Sequence, residues 1–312
     1  MIDPKVLGNR VLKNQRHLGK WARREGIQAY RLYERDIPEF PLAIDRDADG
    51  LHVQVFEKKR PLQADDLENI RSELAARLEI PLLQVVIKHR RRQRGLAQYE
   101  RLGATAPSFS VAERDLRFEV NLSAYLDTGL FLDHRNTRQL VREHAAQKRF
   151  LNLFAYTGSF TVYAAAGGAK HSVTVDMSNT YQAWSRRNLA LNGLDHPGRH
   201  DFVQADVLGF LQRMHNHGEQ FDLIVLDPPS FSNSKRMMGG TFDVQRDQLA
   251  LLSDTLRLLT PGGELFFSNN RQGFRLDPGV GNLAAVTEIS AQTLPIDFKR
   301  RTPHRCWLLK KT

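Results

Sequence analysis

In the second half of the chain, short apolar runs alternate with longer stretches whose apolar residues recur every three or four positions. The runs 149–156, 171–175, 201–205, 221–226 and 264–268 have the length and near-continuous hydrophobicity of strands buried on both faces. Between them, Val162-Tyr163-Ala164-Ala165-Ala166 belongs to a helix stopped by Gly167-Gly168. Ser178 is placed to N-cap a second helix that ends at Asn192-Gly193, and 244–259 is an amphipathic helix closed by Pro261-Gly262-Gly263. Two extended pieces, 289–294 and 306–309, flank the charged turn 297–303 as a hairpin. Strands alternating with helices predict an α/β domain built on a mostly parallel, doubly wound sheet.

Residues 1–120 follow a different pattern and predict a smaller α+β module, leaving 121–312 to the parallel-sheet domain. A first helix, 9–24, has Leu7, Val11, Leu18 and Trp21 on one face and Lys13, Arg16, Lys20 and Arg24 on another, with Arg23 beside them. Extended pieces follow at 29–33, 42–45 and 51–56, the last two joined through Asp49-Gly50. A helix over 65–79 lies between Pro61 and Pro81, and a strand over 82–87 runs into Lys88-His89-Arg90-Arg91-Arg92-Gln93-Arg94. The segment 118–122 begins the approach to the second domain.

Charge sharpens this picture. The 312-residue chain carries a net +10, the electrostatic footprint of a protein that meets a polyanion. A solvated face explains either basic run alone. Two runs together favour contacts to a nucleic-acid backbone, with Lys13, Arg16, Lys20, Arg23, Arg24, Lys88, Arg90, Arg91, Arg92, Arg94, Lys235 and Arg236 as candidates. The single cysteine, Cys306, excludes internal disulfides and a cysteine-based zinc site, and the scattered histidines predict no metal. No apolar run reaches membrane-spanning length and no apolar signal core is present, so a cytoplasmic location is expected.

Candidate chemistry gathers at the strand ends, where open α/β sheets bind ligands. The first run, with Asn152, Phe154 and Tyr156, leads into Thr157-Gly158 ahead of a helix. No G-x-G-x-x-G is present, which suits a ligand without a pyrophosphate. The second run ends at Asp176-Met177, near the spacing of about 20 residues at which an acid meets ribose hydroxyls. The third ends at Asp206-Val207, where a carboxylate can accept from an adenine amino group and a valine can pack on the ring. The fourth ends at Asp227-Pro228-Pro229-Ser230-Phe231. Its prolines fix φ and remove donors, giving a stiff turn with free carbonyls beside an aromatic face, a setting for a planar base edge. A helix cap is the ordinary explanation of any one acid; three at successive strand ends point to a cofactor site. Upstream, Phe131 and Arg135 stand at the entry to a helix over 136–147, where the guanidinium can pair with a ligand carboxylate or, locally, with Asp133.

The Asp-Pro-Pro-x-aromatic stretch resembles the signature of S-adenosylmethionine-dependent methyltransferases that modify base nitrogens. Segments 20–27, 125–135, 227–237 and Phe242-Asp243-Val244-Gln245-Arg246-Asp247 resemble the C-terminal half of the bacterial bifunctional 23S rRNA guanine methyltransferases, and the resemblance covers nearly the whole chain. It implies a class I methyltransferase with a Rossmann-like seven-stranded sheet and S-adenosylmethionine as cofactor. The implied reaction is methyl transfer to N7 of a guanine in 23S rRNA or an early large-subunit assembly intermediate. In the bifunctional proteins a separate N-terminal half with a THUMP module makes N2-methylguanine. This chain starts where the second half starts, so N2 activity is expected to be absent and to come, if at all, from a separate partner. A weaker resemblance, through Gly-x-Phe-Leu-Asp-x-Arg, is to 5-methylcytosine-forming relatives, whose cysteine nucleophile follows the fifth strand. Here that position reads Phe267-Ser268-Asn269-Asn270. Guanine N7 offers an in-plane lone pair and no proton, so it needs alignment and no general base. On this reading Asp176 holds ribose, Asp206 reads adenine, and Arg135, Phe154 and Thr157-Gly158 wrap the rest of the cofactor. Asp227-Pro228-Pro229 and Phe231 position the base, and Lys235 contacts phosphate. The alternatives are transfer to an exocyclic amine such as guanine N2, and a non-catalytic RNA-binding assembly factor.

Overall fold

The computed structural model describes residues 2–56, 61–90, 107–232, 240–298 and 302–311. The chain divides into two compact units at Leu132/Asp133; it returns to the first unit at Ile296 and to the second at Thr302. The sequence pattern set the division at 120. The intervening stretch stays with the first unit because Asn121 ties it locally: its amide N–H donates to the Thr128 carbonyl, and its side chain accepts from the backbone of Ser123 and Ala124.

The first unit opens with α1 (Pro4–Arg24), N-capped by Asp3 and started by a proline whose missing N–H costs nothing there. A four-stranded sheet follows: β1 (Ala29–Glu34), β2 (Leu42–Asp47), β3 (Gly50–Phe56), then the crossover helix α2 (Ala64–Leu78), then β4 (Val85–Arg90) parallel to β3. The hairpin turn falls at Ala48-Asp49, one residue earlier than expected, with Gly50 paired to Asp47. Residues Leu82–Gln84 form a 3₁₀ turn rather than strand, held by Arg71, which donates to the Leu82 and Val85 carbonyls. A second hairpin, β5 (Phe109–Glu113) with β6 (Leu116–Val120), completes the unit.

Alternation along these strands gives the sheet one apolar face, with Leu42, Ile44, Leu51, Val53 and Val85 packed in the cluster that includes Leu7 and Val11 of α1 and Leu74 of α2. The opposite residues, Asp45, Asp47, His52, Gln54 and Lys88, are polar and nevertheless buried. Arg31 grips Asp45 with Nε at 2.7 Å and Nη2 at 3.0 Å. Burial, aided by the neighbouring Asp45 charge, pushes the Asp47 carboxyl up to about 8. Lys88 needs correction as a surface cation: it is buried on this face and its ammonium donates to the Tyr125 carbonyl.

The second unit contains α3 (Arg135–His144), β7 (Arg149–Leu153), α4 (Ser159–Ala166), β8 (His171–Asp176), α5 (Asn179–Ala190), β9 (His200–Gln204), α6 (Val207–Asn216) and β10 (Phe221–Leu226). A two-residue pair, β11 (Phe231–Ser232) and β12 (Phe242–Asp243), precedes α7 (Val244–Arg257), β13 (Leu259–Asn269), β14 (Ala285–Glu288), α8 (Ser290–Thr293) and β15 (Arg305–Lys310). The seven-stranded sheet has the order β14-β15-β13-β10-β7-β8-β9; β15 is antiparallel to both neighbours and the central pairs are parallel. This is a Rossmann-like, doubly wound α/β sheet closed by an antiparallel strand. The outer hairpin strand is Ala285–Glu288, not 289–294 as the sequence suggested. At 290–293 Ser and Thr side chains bond locally, Thr293 Oγ1 to the Ser290 carbonyl and Ser290 Oγ to Glu288, and favour a helical turn. Among the described residues no helix is long and apolar enough to cross a membrane.

Helix α4 is apolar all round and buried, and it ends where it crosses α3. Gly167 has an ordinary φ, but a Cβ there would stand 2.2 Å from the Arg142 carbonyl oxygen. Gly167→Ala should therefore cost about 1–3 kcal/mol through overpacking against backbone, read as a lower urea midpoint with unchanged slope; an unshifted midpoint would mean that α3 yields freely.

Candidate active site

The strand order reverses between β7 and β10: the chain leaves β7 toward β8 and β9, then returns to β10 on the other side. The carboxyl ends of these strands bring together the loop after β7, Asp176 at the end of β8, Asp206 after β9 and Asp227 after β10.

The β7–α4 loop has an unusual backbone. Phe154, Tyr156 and Gly158 all have positive φ, 57°, 51° and 72°. At Gly158 a Cβ would meet Ser185 Cβ and Oγ at 2.7 Å, so conformation and space both require glycine. Ser185 Oγ donates to the Tyr156 carbonyl and Asn188 Nδ2 to that of Thr157, fixing the loop from α5. The loop is also tied to Asp176, whose Oδ2 accepts from the Tyr156 N–H at 2.9 Å and Oδ1 from the Ser178 N–H at 2.8 Å. Burial pushes this carboxyl up to about 6 despite those bonds. Phe154 stacks on Phe242 with centroids 6.3 Å apart.

Other expected residues have structural engagements. Asp206 caps α6, accepting from the Gly209 N–H at 3.2 Å through Oδ2. Val207 lies in the hydrophobic core. Asn152 is buried and donates to Thr161 Oγ1 at 3.0 Å, on the α4 side of the sheet. The Met177 carbonyl accepts from Gln204. Arg135 is the buried first residue of α3, and Phe131, in the other unit, is 37% exposed.

Asp227 has polar neighbours on two sides. Its Oδ1 accepts from Ser268 Oγ at 2.7 Å, and its Oδ2 lies 3.4 Å from His134 Nε2. Pro228 is buried, and Phe231 beyond it is 49% exposed, with its ring available to a ligand. Ser230 Oγ donates to Asn270, tying the Pro-Pro turn to the end of β13. The motif at 242–247 explains itself here. Asp243 caps α7 and pairs with Arg271, while Gln245 exchanges two hydrogen bonds with the Arg275 backbone, so one helix start organises both loops. Lys235 and Arg236 lie outside the described residues, as do Arg91, Arg92 and Arg94.

Sequence reasoning missed the histidines. His134 stacks on His304, centroids 4.1 Å apart and 16° between planes, and His304 Nδ1 lies 2.9 Å from Asp133 Oδ2. It also understated Cys306, which pairs across strands with Ser268. The thiol is fully buried, and burial first and then the Asp227 charge push it far above its ordinary range.

A half-buried carboxylate, an exposed ring and a fixed left-handed loop at a strand-order reversal fit an adenosyl group in chemical character. A family model described as S-adenosylmethionine-dependent methyltransferase matches residues 42–301. The chain is 49% identical to the ribosomal RNA large subunit methyltransferase K of Neisseria meningitidis serogroup B, over 99% of this chain and 88% of that protein. It is 50% identical to the ribosomal RNA large subunit methyltransferase K/L of Methylococcus capsulatus, over 97% of this chain and 42% of that one. The crystal structure of SMU.776 complexed with SAH superposes with a TM-score of 0.77 at 23% identity, covering 99% of this chain and 82% of that chain, a likeness of fold.

If Asp176 accepts from ribose hydroxyls, as its place in the sequence suggests, Asp176→Ala should weaken S-adenosylmethionine binding by about 1–3 kcal/mol. On that expectation the ionised carboxylate is the acceptor, a proton competes with the ligand, and wild-type affinity should fall as pH drops through about 6. Asp176→Asn should flatten the dependence. Calorimetry at several pH values checks both; unchanged affinity in a folded Ala variant reduces Asp176 to a clamp on the loop.

Proposed function

Because the chain belongs to the S-adenosylmethionine-dependent methyltransferase family, we propose that it methylates N7 of a guanine in 23S rRNA. The observation that carries this reading is the base site itself: a clamped Asp-Pro-Pro turn and the exposed Phe231 ring, with no usable thiol. Ser268 and Asn269 occupy the end of β13, and the chain's single cysteine is sealed in the core. Pyrimidine C5 chemistry lacks its nucleophile there. N7 requires only that the ring be held in line with the methyl donor.

When bound, S-adenosylmethionine supplies an electrophilic methyl on a sulfonium. Asp176 would hold its ribose hydroxyls, the second oxygen of Asp206 its adenine amino group, and Arg135 its carboxylate. Phe154, Tyr156 and Thr157-Gly158 would line the rest. Phe231 would stack on the target base while the free carbonyls of the Pro-Pro turn orient its edge. The names of the curated relatives support ribosomal RNA as the substrate class. Transfer to the exocyclic N2 amine is the second reading, favoured by the Asp227 carboxylate, a natural acceptor for an amino group. Nucleoside mass analysis of 23S rRNA from cells with and without the gene separates the two: loss of 7-methylguanine supports N7, and loss of N2-methylguanine replaces it. Cys306→Ser should leave transfer intact, whereas a folded but inactive Cys306→Ser protein would reopen pyrimidine chemistry.

For RNA engagement we favour α1. Lys13, Arg16, Lys20, Arg23 and Arg24 are all exposed on it, whereas Arg90 pairs with Asp127 at 2.8 Å. Replacing Lys13, Arg16, Lys20 and Arg23 by Gln should reduce the slope of log K against log salt by roughly 0.7–0.9 for each phosphate that is no longer neutralised. Binding of many RNA sequences should weaken alike and S-adenosylmethionine affinity should stay constant; an unaltered slope would remove α1 from the interface.

A further inference from the structure

We propose that His134 is a positioning residue for Asp227: its Nε2–H fixes the second carboxylate oxygen and so aims the remaining lone pairs at the substrate base. The inference rests on the reading of Asp227 as part of the base site.

The tautomer follows from the surroundings. Nε2 lies 3.4 Å from Asp227 Oδ2, while Nδ1 is buried and has no hydrogen-bond partner among the described residues. Burial, and then the neighbouring His304, hold the His134 pKa below its ordinary value, so the ring is neutral and carries one N–H. A proton on Nδ1 would bury an unpaired donor and turn the Nε2 lone pair toward a carboxylate. A proton on Nε2 turns a donor toward the carboxylate and leaves Nδ1 as a bare acceptor, which removes the lone-pair clash.

The ring has little freedom. One face stacks on His304, itself bracketed by Asp133 at 2.9 Å and Thr293 at 3.1 Å; Phe160 meets it edge-on at 5.6 Å. Asp133, His134 and His304 bring ligand atoms within 4.8 Å of one another, a spacing open to a metal ion. Their geometry opposes one. Stacked rings direct their in-plane lone pairs along parallel lines that do not converge, and both nitrogens of His304 face partners already. The cluster is instead a rigid bracket behind Asp227. Ser268 pins one oxygen at hydrogen-bond distance, while the other contact is long, as such bonds often are before substrate arrives.

The test uses the full chain. His134→Gln keeps a donor nitrogen near the Nε2 position and His134→Phe removes it. His134→Phe should lower kcat/KM for RNA roughly tenfold to a hundredfold, the effect of losing a hydrogen bond to a charged group, with S-adenosylmethionine affinity unchanged. His134→Gln should recover most of that loss. In the Asp227→Asn background, His134→Phe should add little, because both act on one group. Equal activity of wild type and a folded His134→Phe protein overturns the proposal, as does full additivity with an impairing Asp227→Asn. If Asp227→Asn alone leaves RNA turnover untouched, the base-site reading of Asp227 fails, whatever His134 does. Should His134→Phe not fold, nitrogen NMR of histidine-labelled wild type decides: the proposal requires a protonated Nε2 and a bare Nδ1, and the opposite tautomer overturns it.

Discussion

Burial of the central parallel strands on both faces is the constraint from which the rest of the catalytic unit follows. In β10, Leu223 and Val225 face one apolar cluster while Ile224 and Leu226 face the other. A lone charge in either cluster would cost several kcal/mol. One polar exception, Asn152 with Thr161 and Thr174, satisfies itself within a chain of side-chain bonds. Charge is thereby driven to the places where strands leave the sheet. Because the strand order reverses beside β7, those exits open onto one crevice, and Asp176 and Asp227 come to flank the same loop.

That logic is why so much was legible. Near-continuous apolar runs identify β7, β8, β9, β10 and β13, and the acids just beyond them stand where those strands leave the sheet. Local chemistry also decided where reading failed. Ser290 and Thr293 turned an expected strand into a helical turn, and Asn121 held its neighbours in the first unit. The histidine bracket was out of reach for another reason. Asp133 and His304 are 171 residues apart, and only the return of the chain into β15 makes them partners. His134 lies between Asp133 and Arg135, whose charges dominate that segment of the sequence.

The first unit shows what alternation does not reveal. A polar residue on alternate strand positions ordinarily signals a wetted face. Here that face is covered, and its charges persist by pairing, as Arg31 does with Asp45, or by giving up ionisation, as the Asp47 carboxyl does. Lys88 was grouped with the basic run on charge alone, and strand register placed it inside. Lys13, Arg16, Lys20, Arg23 and Arg24 of α1, by contrast, are all exposed, so position in the fold and not charge alone separates surface cations from buried ones.

The sealed thiol has a practical side. Cys306 is the chain's single cysteine, and its sulfur is neither accessible nor readily ionised. Alkylating reagents act on thiolates at the surface, so the native protein should be nearly silent to maleimides. Any cysteine introduced at an exposed position becomes the sole reactive handle without prior removal of a native one. A fluorophore or spin label on α1 could then test whether that helix meets RNA, in a protein whose second unit has not been altered.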